Sequence, residues 1–135
     1  MRAAAIPAKL RDMACARILL VESDPMIARV LSVLLKNWGY VVETAMDAGE
    51  ARVSVSRGLP AAIITDVEPP ALDGLQLTRF FKSDPATRGV PIIGIHAADG
   101  VTEQAALAAG CIGCVGKPLD THRLLALLRV LAPAS

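Results

Sequence analysis

The sequence has few aromatic residues and no long apolar run. Aromatic residues make up 3% of the 135-residue chain and hydrophobic residues 53%, which predicts one compact domain with an aliphatic core. No apolar run approaches the roughly 18 residues that a bilayer-spanning helix needs, and the first residues contain no apolar block long enough for a secretory signal. We therefore expect no second folded domain and no membrane association.

An excess of charge of one sign is also lacking. Fourteen basic residues stand against 13 acidic ones, for a net charge of +1. No basic block occurs, so the sequence does not indicate a nucleic-acid-binding surface. Charge alone therefore identifies no partner.

Cysteine is sparse and odd in number, at Cys15, Cys111 and Cys114. This argues against a disulfide framework and is typical of a reducing, cytoplasmic compartment. Cys111 and Cys114 form a C-x-x-C pair, but no second pair of zinc ligands accompanies it and it does not open a helix. We expect two small buried thiols.

Short apolar runs alternate with helical patterns between residues 17 and 132. The runs are apolar without alternation, which is typical of parallel strands covered on both faces and joined by right-handed helical crossovers. We predict a doubly wound α/β domain with a five-stranded parallel sheet, preceded by a loosely ordered lead-in at 1–16 and followed by a tail at 133–135. The predicted strands are 17–21, 40–44, 61–65, 91–95 and 111–115, and the predicted helices begin near residues 24, 47, 73, 101 and 120.

Local signals predict where the first helices begin and end. Ser23 or Asp24 can cap the first helix, and Gly39 ends it. Asp47, with Glu50 three residues later, is typical of a capping box at the second helix. Helical spacing predicts that the first helix faces inward through Ile27, Val30, Leu31, Leu34, Leu35 and Trp38.

Polar side chains follow the predicted strands at the edge where ligands of parallel α/β sheets gather. Crowded carboxylates repel one another and are commonly held by a hard cation such as Mg²⁺. An aspartate beside such a cation can attack a phosphoryl group while a lysine neutralises the transferring oxygens. We predict Asp66 as the nucleophile and Lys117 as its cationic partner. The other polar residues at this edge are Glu22, Ser23, Asp24 and His96.

From about residue 17 to 132 the sequence resembles the receiver domain of two-component response regulators. Four stretches carry the resemblance: ILLVESDP (18–25), IITDVEPPALDG (63–74), PIIGI (91–95) and AAGCIGCVGKPLD (108–120). It implies a flavodoxin-like (βα)5 fold in which Asp66 accepts a phosphoryl group from a histidine kinase or phosphotransfer protein. It also implies Mg²⁺ held by Glu22, Asp66 and the backbone carbonyl of Glu68.

Three positions depart from the pattern of that family. Ser23 stands where a second acid usually binds the metal, and the lost charge attraction is on the order of a few kcal/mol, or roughly a hundredfold in affinity. Asp24 is an alternative ligand unless it caps the first helix. His96 replaces the usual Ser or Thr, and would either donate to the phosphoryl group when protonated or fill the pocket. Cys114 replaces the usual aromatic residue, so the resemblance implies weakened Mg²⁺ binding and no hydroxyl–aromatic switch.

Two functional hypotheses follow from these features. In the first, Asp66 is phosphorylated and the chain signals through protein–protein contacts; in the second, a degenerate receiver docks a partner without phosphorylation. Only APAS follows Leu131, so we expect action on a separate effector or pairing with a second copy of the chain.

Enzymatic functions are less favoured. An aspartyl-phosphate phosphohydrolase usually has a second Asp where this chain has Glu68, and a flavin-binding module would need a phosphate-binding loop after the first strand. We expect no activity beyond self-catalysed phosphoryl transfer to Asp66 and hydrolysis from it.

Overall fold

Five strands alternate with five helices in the computed structural model, which describes residues 16–67, 74–97 and 103–134. The alternation confirms the predicted α/β class; the first strand has the predicted limits, and the limits of the other four differ from the predicted ones by one or two residues. The predicted start of the fourth helix, Val101, lies outside the described residues. The strands are β1 (Arg17–Val21), β2 (Val41–Ala45), β3 (Ala62–Asp66), β4 (Ile92–His96) and β5 (Gly113–Gly116). The helices are α1 (Pro25–Asn37), α2 (Ala48–Arg57), α3 (Gly74–Ser83), α4 (Glu103–Ala109) and α5 (Thr121–Leu131).

All four strand pairs are parallel, and the strand order is β2-β1-β3-β4-β5. The order reverses between β1 and β3, because the chain first moves outward to β2 and then returns past β1. Ligand sites of such sheets form at this reversal, at the carboxyl ends of the strands. Val21 pairs with Thr65, so the residues that follow, Glu22 and Asp66, lie side by side at the carboxyl ends of β1 and β3.

Each face of the sheet carries its own aliphatic core. On one face, Leu19 and Ile63 belong to a cluster with buried residues of α2, α3 and α4, including the fully buried ring of Phe81. On the other face, Ile18 and Ile64 belong to a cluster with residues of α1 and α5. Both faces of β1, β3, β4 and β5 are buried, which is why their sequences show no alternation, whereas the edge strand β2 is largely exposed.

The predicted helix signals are present at α1 and α2. Asp24 Oδ1 accepts hydrogen bonds from the main-chain N–H groups of Met26 and Ile27, at 2.9 and 3.3 Å, so Asp24 rather than Ser23 caps α1. Asp47 Oδ1 accepts from the Glu50 N–H at 2.8 Å, as the capping-box pattern predicts.

Two further predictions concern the residue that ends α1 and the face that α1 turns to the core. Gly39 follows α1 with a φ of 97°, a conformation that glycine adopts without the cost of a β-carbon. The predicted inward stripe was right at Leu31 and Leu35, which are buried together with Ala28, and wrong at Val30, which is 61% exposed because it lies beside the face that these three residues turn to the core. No helix in the described ranges is long and apolar enough to cross a bilayer.

Candidate functional site

The carboxylate of Asp66 and the ammonium of Lys117 meet at the carboxyl edge of the sheet. Asp66 is the last residue of β3, and Lys117 directly follows β5. Lys117 Nζ donates to Asp66 Oδ2 at 3.1 Å, although the two residues lie 51 positions apart. The side chain of Asp66 is 11% exposed and that of Lys117 is 32% exposed. The pair is therefore partly screened from water but reachable from solvent.

The backbone around Lys117 is held by β4. The Lys117 N–H donates to the His96 carbonyl at 2.8 Å, and His96 pairs with Gly116 in the sheet. The peptide bond between Lys117 and Pro118 is cis. The lysine that contacts Asp66 is thus attached directly to a strand of the sheet rather than carried on a free loop.

Glu22 is a buried carboxylate beside this pair, with 2% of its surface exposed. Its Oε2 accepts from the Asp24 N–H at 3.1 Å, whereas its Oε1 is buried without a hydrogen-bond partner in the described part of the chain. Burial raises the pKa of Glu22, and the negative charge of Asp66 raises it further, against the lowering by the Asp24 N–H and Lys117. A buried carboxylate oxygen without a partner is costly, and a bound cation would remove that cost.

The oxygen donors here fit a hard divalent cation, with fewer charges than a site with three acids. Glu22 and Asp66 supply two carboxylates, the donor type that Mg²⁺ prefers. Ser23 is half-buried and neutral, and Asp24 is committed to its cap. Glu68, whose carbonyl the resemblance implied as a ligand, lies outside the described residues. Within the ranges that the structure describes, no three His, Cys, Asp or Glu side chains gather to hold a metal.

His96 lies at the end of β4 with its ring against the backbone of β5. Its Nδ1 is 3.2 Å from the Ala97 carbonyl, and a β-carbon placed on Gly116 would lie 3.6 Å from the ring's Cε1. The imidazole thus lies within van der Waals distance of the main chain at Gly116. Phosphoryl contact and pocket filling both stay predictions for His96.

The two neighbouring cysteines are free and buried, as predicted from their setting. A β-carbon on Gly94 would lie 3.2 Å from Cys111 Sγ and 3.6 Å from Cys114 Sγ, so the thiols fill the space above this glycine. Burial raises the pKa of Cys114 to about 11, with a smaller contribution from Cys111. Neither thiol has the lowered pKa of a reactive cysteine.

An apolar groove beside Lys117 was not predicted from the sequence. It has a volume of about 370 Å³. Met26 and Val30 line it and are 75% and 61% exposed, a large fraction for such side chains. The available signal was the spacing of Met26 and Val30 by one helical turn, but we assigned Val30 to the inward stripe of α1 and gave Met26 no role. The groove is lined by Met26, Ile27, Val30, Leu31, Ile95, Lys117, Pro118 and Leu119.

Known proteins are similar to this chain in sequence and in fold. A family model described as the response regulator receiver domain matches residues 18–129. Response regulator PleD of Caulobacter vibrioides is 38% identical over 117 residues, which cover 86% of this chain and 26% of PleD. Response regulator MprA of Mycobacterium leprae is 39% identical over 116 residues, which cover 85% of this chain and 50% of MprA. The chain thus spans half or less of the length of these relatives.

Solved structures show the same architecture. The receiver domain of the sensor histidine kinase PA1611 from Pseudomonas aeruginosa, with a magnesium ion in its active-site cleft, is 32% identical with a TM-score of 0.77. That match covers 87% of this chain and 98% of the other. The chemotaxis response regulator CheY4 of Vibrio cholerae is 28% identical with a TM-score of 0.75, over 87% and 98% of the two chains. With the family model spanning most of the sequence, the chain belongs to the response regulator receiver domain family of two-component systems.

Proposed function

We propose that this chain accepts a phosphoryl group on Asp66 from a phosphohistidine of a histidine kinase or phosphotransfer protein. The observation that carries the proposal is the 3.1 Å contact between Lys117 Nζ and Asp66 Oδ2, beside the buried carboxylate of Glu22. A strand-end aspartate alone is commonly a turn residue. Here, two distant segments bring an ammonium to it at the ligand-binding edge of the sheet.

The proposed transfer is a displacement at phosphorus. A carboxylate oxygen of Asp66 forms a bond to the phosphorus while the bond from phosphorus to the donor imidazole nitrogen breaks, and the electron pair of that bond stays with the imidazole. Negative charge on the transferring oxygens rises along this path, and the Lys117 ammonium neutralises part of it. The contact with Asp66 holds the ammonium where those oxygens will lie.

Mg²⁺ is the cofactor that the family and the oxygen donors indicate. When bound, it supplies further neutralisation of phosphoryl oxygens. Glu22 and Asp66 would hold it, together with the Glu68 carbonyl that the resemblance implies. Ser23 adds no charge, so we propose weaker binding than in a site with two acids after β1.

The remaining parts of the proposal concern setting and partners. We place the chain in the cytoplasm, as its free cysteines favour, and assign its output to contacts with an effector protein or a second copy of itself. We assign it no turnover beyond self-catalysed phosphorylation and hydrolysis at Asp66. His96 would donate to a phosphoryl oxygen when protonated, or fill the pocket without contacting it.

A degenerate receiver that docks a partner without phosphorylation is the second candidate. It is favoured by the absence of a three-acid cluster in the described ranges and by the neutral Ser23. This candidate leaves unexplained why Glu22 has a buried oxygen without a partner among the described residues. The two candidates differ in whether a covalent bond forms between Asp66 and a phosphoryl group.

Intact-mass spectrometry after incubation with acetyl phosphate and Mg²⁺ tests the proposal. We expect the wild-type chain to gain the mass of one phosphoryl group and Asp66→Asn to gain none. Asp84→Asn is a matched control, because Asp84 lies in the exposed turn after α3 and should leave labelling intact. A wild-type chain that stays unlabelled while a receiver with complete acids is labelled would support the degenerate alternative.

A further inference from the structure

We propose that Arg123 couples the phosphoacceptor site to helices α4 and α5. The inference rests on the proposed function, because it concerns how phosphorylation of Asp66 is transmitted. Cys114 stands where the family usually has an aromatic switch residue, and its side chain is 2% exposed within the core. The transmission therefore needs another group, and the structure assigns it to a guanidinium.

Arg123 joins three elements through one side chain. It lies in the first turn of α5, where its own N–H donates to the capping carboxylate of Asp120 at 3.0 Å. Its Nε donates to the Cys114 carbonyl of β5 at 2.6 Å, and its Nη2 lies 3.3 Å from Glu103 Oε1 of α4. A shift of β5 relative to either helix must stretch or break one of these contacts.

The other end of β5 carries Lys117. The strand is four residues long, and Cys114 lies three residues before Lys117. When Asp66 gains a phosphoryl group, the ammonium of Lys117 acquires new oxygen partners and its backbone moves with it. In the part of the chain that the structure describes, β5 is an edge strand paired with β4, and Arg123 binds a β5 carbonyl from the side of α5. Displacement at Lys117 is thus passed along β5 to the guanidinium.

Two residues of β5, Gly113 and Gly116, have no side chain, and Cys114 and Val115 are buried in the cores on opposite faces of the sheet. Arg123 adds to these apolar contacts a polar contact with the main chain of the strand. The Nε–carbonyl bond is charge-assisted and therefore strong among hydrogen bonds. The ion pair with Glu103 is weaker, because its two side chains are 48% and 50% exposed. We expect the bond to Cys114 to carry most of the coupling and the ion pair to extend it to α4.

A purely structural role for Arg123 makes a different prediction. By binding an edge carbonyl, the side chain would protect the open edge of β5 against pairing with another strand. Its loss would then speed amide hydrogen exchange in β5 equally with and without a phosphoryl group. Coupling instead predicts that, without Arg123, the phosphoryl group no longer changes amide hydrogen exchange in α4.

The test is amide hydrogen exchange with and without Mg²⁺ and beryllofluoride, a tetrahedral analogue of the phosphoryl group. In the wild-type chain we expect beryllofluoride to change exchange in both β5 and α4. In Arg123→Ala we expect the α4 change to shrink by roughly 2- to 30-fold, the range that coupling residues typically give. Beryllofluoride binding itself should persist, because the contacts that Arg123 makes are with Asp120, Cys114 and Glu103.

Three further variants separate the contacts. Arg123→Lys keeps the charge opposite Glu103 but lacks Nε, so it should behave like Arg123→Ala, and it serves if the alanine variant does not fold. Glu103→Gln should reduce the α4 change only partly. Arg129→Ala, further along the same helix, should respond like the wild type.

The outcomes that would overturn the inference are distinct from failure of the proposed function. A full α4 response in Arg123→Ala and Arg123→Lys with beryllofluoride bound would overturn the coupling alone. A wild-type chain that neither binds beryllofluoride nor is labelled by acetyl phosphate would overturn the proposed function, and the coupling with it.

Discussion

The main-chain N–H of Asp24 donates to Glu22 Oε2 at 3.1 Å, while Oδ1 of Asp24 caps α1. One residue thus orients the buried carboxylate and begins the helix. This geometry favours the helix cap over metal ligation as the role of the Asp24 side chain. Turning its carboxylate toward a cation would cost the cap, which typically contributes about 1 kcal/mol.

Restoring an acid at position 23 should strengthen metal binding. We expect Ser23→Asp to tighten Mg²⁺ binding by roughly a hundredfold, because a second carboxylate beside Glu22 adds charge attraction for the cation. Isothermal titration calorimetry measures the change. Asp24→Asn is the control, since Asn also caps helices well and the substitution should weaken binding by less than about tenfold. A larger loss in Asp24→Asn than the gain in Ser23→Asp would make Asp24 the ligand.

The raised pKa of Glu22 predicts how stability depends on pH without metal. Above the ordinary value of 4.5 and up to the higher folded-state pKa, the folded chain holds more protons than the unfolded chain. The free energy of unfolding therefore falls as pH rises through this window. Glu22→Gln should remove that fall, measured by urea denaturation at several pH values. A variant with the same pH slope as the wild type would assign the slope to another group.

Mg²⁺ should reverse this trend for the wild-type chain. A cation binds the ionised form of Glu22, so the stabilisation by Mg²⁺ should grow as pH rises through the same window. Glu22→Gln should show little such growth. Equal Mg²⁺ effects in both chains would place the cation away from Glu22.

The buried thiol of Cys114 should react slowly with thiol reagents. A pKa of about 11 against an ordinary 9.0 lowers the thiolate fraction roughly a hundredfold near neutral pH, and burial slows access further. Labelling followed by peptide mass spectrometry should show that Cys114 reacts at least roughly a hundredfold more slowly in the folded chain than in the unfolded chain. Labelling of Cys114 at the unfolded-state rate would contradict the buried placement.

The apolar groove beside Lys117 should matter for a protein phosphodonor and not for a small one. Because Met26 lines the groove and is exposed, Met26→Glu should slow phosphotransfer from a phosphohistidine protein by about tenfold or more, as an interface anchor typically does. Labelling by acetyl phosphate should be unchanged, because that donor does not need the groove.

A control on another helix separates local from general effects of the added charge. Val53→Glu places the same charge at an exposed position of α2 and should leave both donors unaffected. Equal slowing with both donors in Met26→Glu would indicate damage to the phosphoacceptor site rather than loss of a docking contact.

Prediction from the sequence succeeded where local chemistry decides structure. Apolar runs without alternation favour strands covered on both faces, as β1, β3, β4 and β5 are, and the Asp47–Glu50 pair needed only its own turn to form a cap. Prediction failed at Val30, because helical spacing indicates that an apolar stripe exists but does not decide which residues at its border face the core. The neighbours of α1 decide that orientation.

The partners of individual side chains depended on the assembled sheet. The sequence placed Asp66 and Lys117 at strand ends, and the parallel order of those strands brought the two charges within 3.1 Å. Nothing local indicated that Arg123 would bind the Cys114 carbonyl, because that contact requires α5 to pack beside the sheet edge. The sequence by itself determined the class of fold and the chemistry available at its edge. Tertiary structure decided which groups meet, because those contacts join segments that only the folding of the whole sheet brings together.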